Sequence, residues 1–245
     1  KTKAFVCYDD EFLANTTKNL DVVSYGVSPK ADYVISNYQG SRFGSRFILK
    51  GPEGEMGEFS MATPGLYNVR NASAALAFGH TLGADIDLMR EGLAQFGGVA
   101  RRFHYRGERN GVSFIDDYAH LPTEVKSVIA AANEGGWGRV ICVFQPHRYS
   151  RTHDLWKEFS DSFEGADVVY VTDVYSAGEA PIPGVSGRLI ADGVRDSEPQ
   201  KHVVYCEHRT ELVDQIRSEL TQGDLCLTLG AGDITTLPNE LISGD

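Results

Sequence analysis

The chain has 245 residues, enough for one large domain or two small ones, and its 42% hydrophobic and 23% charged content suits a protein that buries a proper core. A net charge of −11 argues against sequence-independent binding to nucleic acid, which depends on Lys and Arg at phosphates. There is no apolar run of the roughly 18 residues needed to span a membrane, and the first residues lack the apolar core of a signal peptide, so a cytoplasmic location is expected with no membrane insertion.

Residues 1–100 open with an apolar, strand-like run, Ala4–Tyr8, and continue with Val22–Gly26, Ala31–Tyr38, Phe43–Lys50 and Glu58–Met61. Gly51-Pro52 and Pro64-Gly65 punctuate these runs. An alanine-rich helix is predicted from about Val69 to Leu82, and another over Asp87–Phe96, with Asp85 or Asp87 as its cap. The helix-opening stretch YNVRNA places Asn68 and Asn71 three residues apart, on one helical face. A side-chain amide can pair with the edge of a base, but taken alone Asn68 reads better as a helix cap.

From about Gly97–Arg102 onward strands and helices alternate. Strands are predicted at Phe103–Arg106, Val112–Asp116, Val140–Phe144, Val168–Thr172, His202–Tyr205 and Leu225–Leu229. Helices are predicted at Pro122–Ala132, Thr152–Phe163, Ser186–Val194 and Glu211–Leu220. Continuous apolar runs such as VICVF and LCLTL fit strands covered on both faces. The alternation predicts a doubly wound, mostly parallel, Rossmann-like α/β sheet with its ligand site at the carboxyl ends of the strands. Cys7, Cys142, Cys206 and Cys226 have no metal or redox spacing and read as buried free thiols.

Four clusters stand out. DDYAHLPTEV, Asp116–Val125, closes a strand with two acids and opens a helix with a proline; Thr123 and Glu124 fall in the first helical turn, where they can satisfy backbone donors. FQPHRYSRT, Phe144–Thr152, follows VICVF and gathers His147, Arg148 and Arg151 in one strand-to-helix loop, a strong arrangement for a carboxylate or phosphate. VYSAGEAPIPGVSG, Val174–Gly187, is a long loop offering Tyr175 and Glu179, and reads equally well as a spacer. LTLGAGDI, Leu227–Ile234, is a tight strand exit and not a dinucleotide fingerprint, since the third glycine and the downstream helix and acid are missing.

Taken in this order, YNVRNASAAL, GVARRFHYRG, DDYAHLPTEV, FQPHRYSRT, VYSAGE and GAGDI resemble the Mur ligase family over about residues 60–240, and FQPHRYSRT resembles its alanine-adding branch. The resemblance implies that residues 1–100 are the later half of a central, ATP-binding domain and residues 101–245 a C-terminal, amino-acid-binding domain. It implies an ATP-dependent ligase of peptidoglycan precursor synthesis, in which ATP phosphorylates the carboxylate of UDP-N-acetylmuramate and L-alanine attacks the acyl phosphate, with Mg2+ and cationic groups stabilising the developing charge. By the same resemblance Asn68 and Asn71 contact adenine, Arg102 reaches the ATP phosphates, and Asp117 contacts the nucleotide. Tyr118, His120, His147, Arg148 and Arg151 resemble the alanine pocket. One departure is His120-Leu121, where the family commonly has two adjacent histidines; leucine there either loses a substrate contact or merely packs.

Such chemistry needs the phosphate loop G-x-x-x-x-G-K-[ST]. No lysine in these 245 residues follows a glycine, and Lys1-Thr2 precedes a strand-like run where the loop would need a helix. The family's magnesium ligands are likewise expected outside this stretch, so the chain reads as a fragment that does not turn over ATP alone. The competing reading is a regulatory α/β module that binds a nucleotide or amino acid without catalysis. A dehydrogenase is disfavoured, because no intact G-x-G-x-x-G follows a strand.

Overall fold

The computed structural model describes residues 3–243, so Lys1-Thr2 lies outside the described residues. The chain divides between Gly98 and Val99 into two compact units.

In the first unit, β1 (Ala4–Cys7), β2 (Val22–Gly26), β3 (Tyr33–Ser41), β4 (Gly44–Gly51) and β5 (Gly54–Met61) form a sheet in chain order. The β1–β2 and β2–β3 pairs are parallel and the β3–β4 and β4–β5 pairs antiparallel. One face of the sheet is covered by α2 (Leu66–Thr81) and α3 (Ile86–Gln95), and Phe47, Leu49, Phe59, Val69, Leu76 and Ala77 form the centre of the core. Burying one face of the antiparallel part produces the alternation of buried and exposed residues along β4. Asp85 caps α3 by accepting from the backbone of Asp87 and Leu88.

Two details differ from expectation. A short helix, α1 (Glu11–Thr16), was not anticipated; none of its residues is buried, so the sequence carries no apolar stripe to announce it. Asn68 does not cap α2. The cap is Gly65, at φ 95°, and Asn68 lies inside the first turn, with its Nδ2 donating to the Pro64 carbonyl at 2.7 Å. A glycine can take that backbone conformation, and an asparagine pays more strain to do so.

In the second unit, β6 (His104–Arg109), β7 (Val112–Asp117), β8 (Val140–Phe144), β9 (Val168–Thr172), β10 (His202–Cys206) and β11 (Leu225–Leu229) form a sheet in the order β10-β9-β8-β11-β7-β6. Every pair is parallel except the β6–β7 hairpin. The helices are α4 (Pro122–Asn133), α5 (Tyr149–Phe159), α6 (Gly187–Ser197), α7 (Arg209–Glu219) and α8 (Leu237–Ser243). Alternate strand residues face opposite layers. Phe144 packs on Phe159 of α5 and on Phe163 just beyond it, whereas Ile141, Val143 and Cys226 share a core with Leu212 and Ile216 of α7 and Leu237 and Leu241 of α8. Helices on both faces make this a doubly wound α/β sheet.

A 3-10 turn over Asp233–Thr236 and then α8 follow β11, so a helix does lie downstream of GAGD, contrary to the sequence reading. The proline at the second position of α8 sits where the helix tolerates it, but in the sequence it reads as a breaker. Cys142, Cys206 and Cys226 are buried free thiols, and Cys7 is only half-buried. Burial pushes the Cys226 thiol up to about 12, which leaves it inert.

Candidate active site

The three central strands β8, β11 and β7 are neighbours, so the loops leaving their carboxyl ends are brought together. The exits of β8 and β11 are tied to each other. The Gln145 amide donates to the Leu229 carbonyl, Gln145 Nε2 donates to Asp233 Oδ1 at 2.7 Å, and Gln145 Oε1 accepts from the Ile234 amide at 3.2 Å. Gly232 is required by close approach: a Cβ there would stand 2.4 Å from Gln145 Oε1 and 2.6 Å from the Tyr175 ring.

The paired acids at the end of β7 diverge in role. Asp116 is fully buried, accepts from Thr228 Oγ1 at 2.9 Å and Thr235 Oγ1 at 2.6 Å, and lies 3.6 Å from Arg101 and 3.5 Å from Arg106. Arg101 also donates to the carbonyls of Gly230 (2.8 Å) and Gly232 (3.2 Å), and its own carbonyl accepts from the Tyr118 amide. Asp117 is 1% exposed, and its two oxygens accept from the Phe103 amide at 2.7 Å and the Ala119 amide at 2.8 Å. Burial raises its pKa to about 6, against the lowering effect of those two amides and of the Arg102 charge. Asp117 therefore fixes the backbone directly after Arg102 and within the Tyr118–His120 stretch. A nucleotide contact would have to use a remaining lone pair of oxygens that already hold the chain.

Tyr118, His120, His147 and Tyr175 form a file of rings. Tyr118 and His120 meet edge-on at 5.3 Å, His120 and His147 stand 6.0 Å apart, and His147 stacks on Tyr175 at 5.6 Å. The guanidiniums of Arg101 and Arg102 lie over the Tyr118 ring at 4.8 Å and 5.7 Å. Arg102 is the more open of the two, with a 4.0 Å contact to Glu124 as its ion pair. Glu124 accepts from the backbone of His120 and Leu121, so it closes the first turn of α4 as expected; Leu121 takes the N-cap position and makes no side-chain cap.

The residues expected to hold an anion gather at the start of α5. The Arg148 amide donates to the Tyr175 carbonyl, and the Tyr175 amide donates to the Pro146 carbonyl, which docks the β9 loop beside the β8 loop. Arg151 donates to the His147 carbonyl at 2.8 Å and lies 3.2 Å from His147 Nδ1. Arg148 is half exposed, and Glu179 from the β9 loop accepts from the Ser150 amide at 3.0 Å, from Ser150 Oγ at 2.8 Å and from Arg148 at 3.4 Å. Those Ser150 donors hold the Glu179 carboxyl below its ordinary range. Burial, followed by the charges of Arg151, His120 and Arg148, holds His147 below the usual imidazole value, with Glu179 opposing.

Seven of the expected site residues thus share this end of the sheet: Arg102, Asp117, Tyr118, His120, His147, Arg148 and Arg151. Asn68 and Asn71 belong to the first unit, on α2, where Asn71 is exposed. The sequence reading missed Arg101, Arg106, Gln145 and Thr235 as organisers. Gln145 stood inside a quoted motif, but no local spacing announces a contact with Asp233, 88 residues away.

The model of the Mur ligase glutamate ligase domain matches residues 101–232, and that of the Mur ligase middle domain matches residues 1–79. The UDP-N-acetylmuramate–L-alanine ligase of Myxococcus xanthus (strain DK1622) is 46% identical over 220 residues, which cover 90% of this chain and 46% of that protein. The enzyme of that name from Geobacter sp. (strain M21) is 41% identical over 94% of this chain and 50% of its own length. This chain spans about half the length of the curated relatives it matches. The crystal structure of the UDP-N-acetylmuramate-alanine ligase of Thermotoga maritima superposes with a TM-score of 0.79 at 28% identity, covering 98% of this chain and 51% of that one. A MurF ligase of the same organism, crystallised with ADP, shares the fold at a TM-score of 0.73 and 18% identity, over 99% of this chain and 54% of that one. With the family model matching more than half of its length, the chain belongs to the Mur ligase family.

Proposed function

We propose that the whole protein joins L-alanine to UDP-N-acetylmuramate, with ATP activating the sugar's carboxylate as an acyl phosphate, in the cytoplasmic synthesis of peptidoglycan precursors. The observation that carries this reading is the arrangement of His147, Arg148 and Arg151 opposite Tyr118 and His120 at the carboxyl ends of adjacent strands. Two guanidiniums suit a carboxylate. The names of relatives that are 40–46% identical support the choice of alanine.

In this reading Arg102, open and held beside Tyr118, supports negative charge on the transferring phosphoryl group, while Asp117 fixes the backbone that presents it. Asn68 and Asn71 present amides toward the adenine edge. Magnesium supplies charge neutralisation at the phosphates in such reactions; among the described residues no three His, Cys, Asp or Glu side chains gather as a metal site.

The 245 residues contain no G-x-x-x-x-G-K-[ST], the loop that cradles the phosphates in this family's ATP chemistry. The test is phosphate release from ATP with magnesium and UDP-N-acetylmuramate, with and without L-alanine. Alanine-dependent release is expected from the protein at its full encoded length and not from these 245 residues alone. The competing reading is a module that binds an amino acid without turnover. Alanine binding with no alanine-dependent release at full length would select it.

A further inference from the structure

The two histidines of the ring file have opposite hydrogen-bond partners at Nδ1. His120 Nδ1 lies 3.0 Å from the Tyr118 carbonyl and 3.5 Å from a Glu124 carboxylate oxygen, and both of these can only accept. Nδ1 of His120 therefore carries a proton, so when the ring is neutral its lone pair is at Nε2. His147 Nδ1 lies 3.2 Å from Arg151, which can only donate, so the lone pair of His147 is at Nδ1 and its proton on Nε2. The charged groups around His147 are Arg148, Arg151 and Glu179; those around His120 are Glu124 and, across Tyr118, Arg101 and Arg102. Burial, and after it the neighbouring cations, favour the neutral form of His147.

We propose that this opposed pair reads the polarity of the incoming amino acid and that His120 is the base of the ligation: the carboxylate faces the Nε2–H of His147, and the amine faces Nε2 of His120. An ammonium cannot attack a carbonyl. His120 Nε2 takes one proton from it, and the freed nitrogen pair bonds to the carbonyl carbon of the acyl phosphate. The C–O bond to phosphate then breaks, phosphate leaves with that electron pair, and the second amine proton passes to solvent. His147, neutral and tied to Arg151, cannot replace His120, because its free nitrogen already bears a proton. This rests on the ligase reading above, which supplies the acyl phosphate.

The experiment compares two nucleophiles on the full-length protein with ATP, magnesium and UDP-N-acetylmuramate. L-alanine is an ammonium at neutral pH and needs a base; hydroxylamine is largely unprotonated there and traps acyl phosphates as hydroxamates without one. His120→Asn keeps a donor for the Tyr118 carbonyl and removes Nε2. It is expected to lower alanine-dependent product roughly 100-fold, the lower end of what a positioned base contributes, while hydroxamate falls less than about threefold. The alanine rate of His120→Asn should climb toward wild type as pH rises and free amine accumulates. His147→Gln, which leaves the base in place, is expected to raise the alanine KM by about tenfold and to change kcat far less. An equal fall for both nucleophiles in His120→Asn would make His120 a structural residue and overturn the proposal, as would an unchanged alanine rate. If His120→Asn is unstable, His120→Gln provides the same comparison with the other end of the ring replaced. Wild-type protein that forms hydroxamate but no alanine adduct would overturn the alanine-specific part; wild type that forms neither would overturn the ligase reading itself.

Discussion

Arg148 holds the loop through its backbone and, in the proposed ligase, the substrate through its guanidinium, and the two can be separated. It is a non-glycine residue at φ 75°, held there because its amide docks on Tyr175 while its carbonyl accepts from the Thr152 amide and hydroxyl in the first turn of α5. A left-handed residue with a Cβ costs about 1–2 kcal/mol. Arg148→Gly is therefore expected to be more stable than Arg148→Ala by about 1 kcal/mol in urea unfolding, with both variants losing alanine affinity. Equal stability would mean that the strain is relieved elsewhere. Asp117 makes a second prediction. Its pKa is raised to about 6 by burial, so between roughly pH 4 and pH 6 the folded state holds a proton that the unfolded state has released. Stability must then fall as pH rises through that window, by on the order of 3 kcal/mol. Asp117→Asn, which cannot ionise, should lack this slope when both proteins are unfolded in urea at pH 4, 5, 6 and 7. At this scale the sequence was legible as to which side chains gather at one strand end, since His147, Arg148 and Arg151 leave one strand together. The partners that set their tautomers and backbone angles were not legible, because Tyr175 and Glu179 come from a different loop.

Elements buried on both faces were read to the residue. Val140–Phe144, Val168–Thr172 and Leu225–Leu229 are continuous apolar runs because helices cover both sides. Where burial is one-sided or absent the signal fades: α1 has no buried residue, and β5 begins four residues before the expected Glu58, in a glycine-rich stretch. The start of α5 was placed at Thr152 and lies at Tyr149, because its N-terminus is completed from outside by Glu179. A carboxylate on the free amides of a helix end interacts well with the helix dipole. In Glu179→Ala the Ser150 amide should exchange with solvent markedly faster, without comparable change at α6. The effect should be present at neutral pH and vanish on acidification, since a carboxyl held below its ordinary range gives its stabilisation above that range and loses it as pH falls through the lowered value.

At the level of the molecule, the break between Gly98 and Val99 falls in an exposed stretch, with Phe96 and Val99 both well exposed. Each unit has its own core, so residues 99–245 expressed alone are expected to unfold in one cooperative step and to be released intact by limited proteolysis near residues 96–100. A broad, non-cooperative transition would show that this unit depends on the first. The doubly wound class could be anticipated from alternating strands and helices, but not the strand order, because nothing local says that the last strand goes to the middle. That placement sets a timetable for synthesis. A nascent chain that has emerged only as far as α7 has β7 and β8 in hand with the slot between them empty, and each presents an unpaired, apolar edge to solvent. The arrival of Leu225–Leu229 fills the slot, pairs both edges at once and brings the Asp116, Gln145 and Arg101 anchors into reach, so the loops at this end of the sheet are tied together only once β11 is in place.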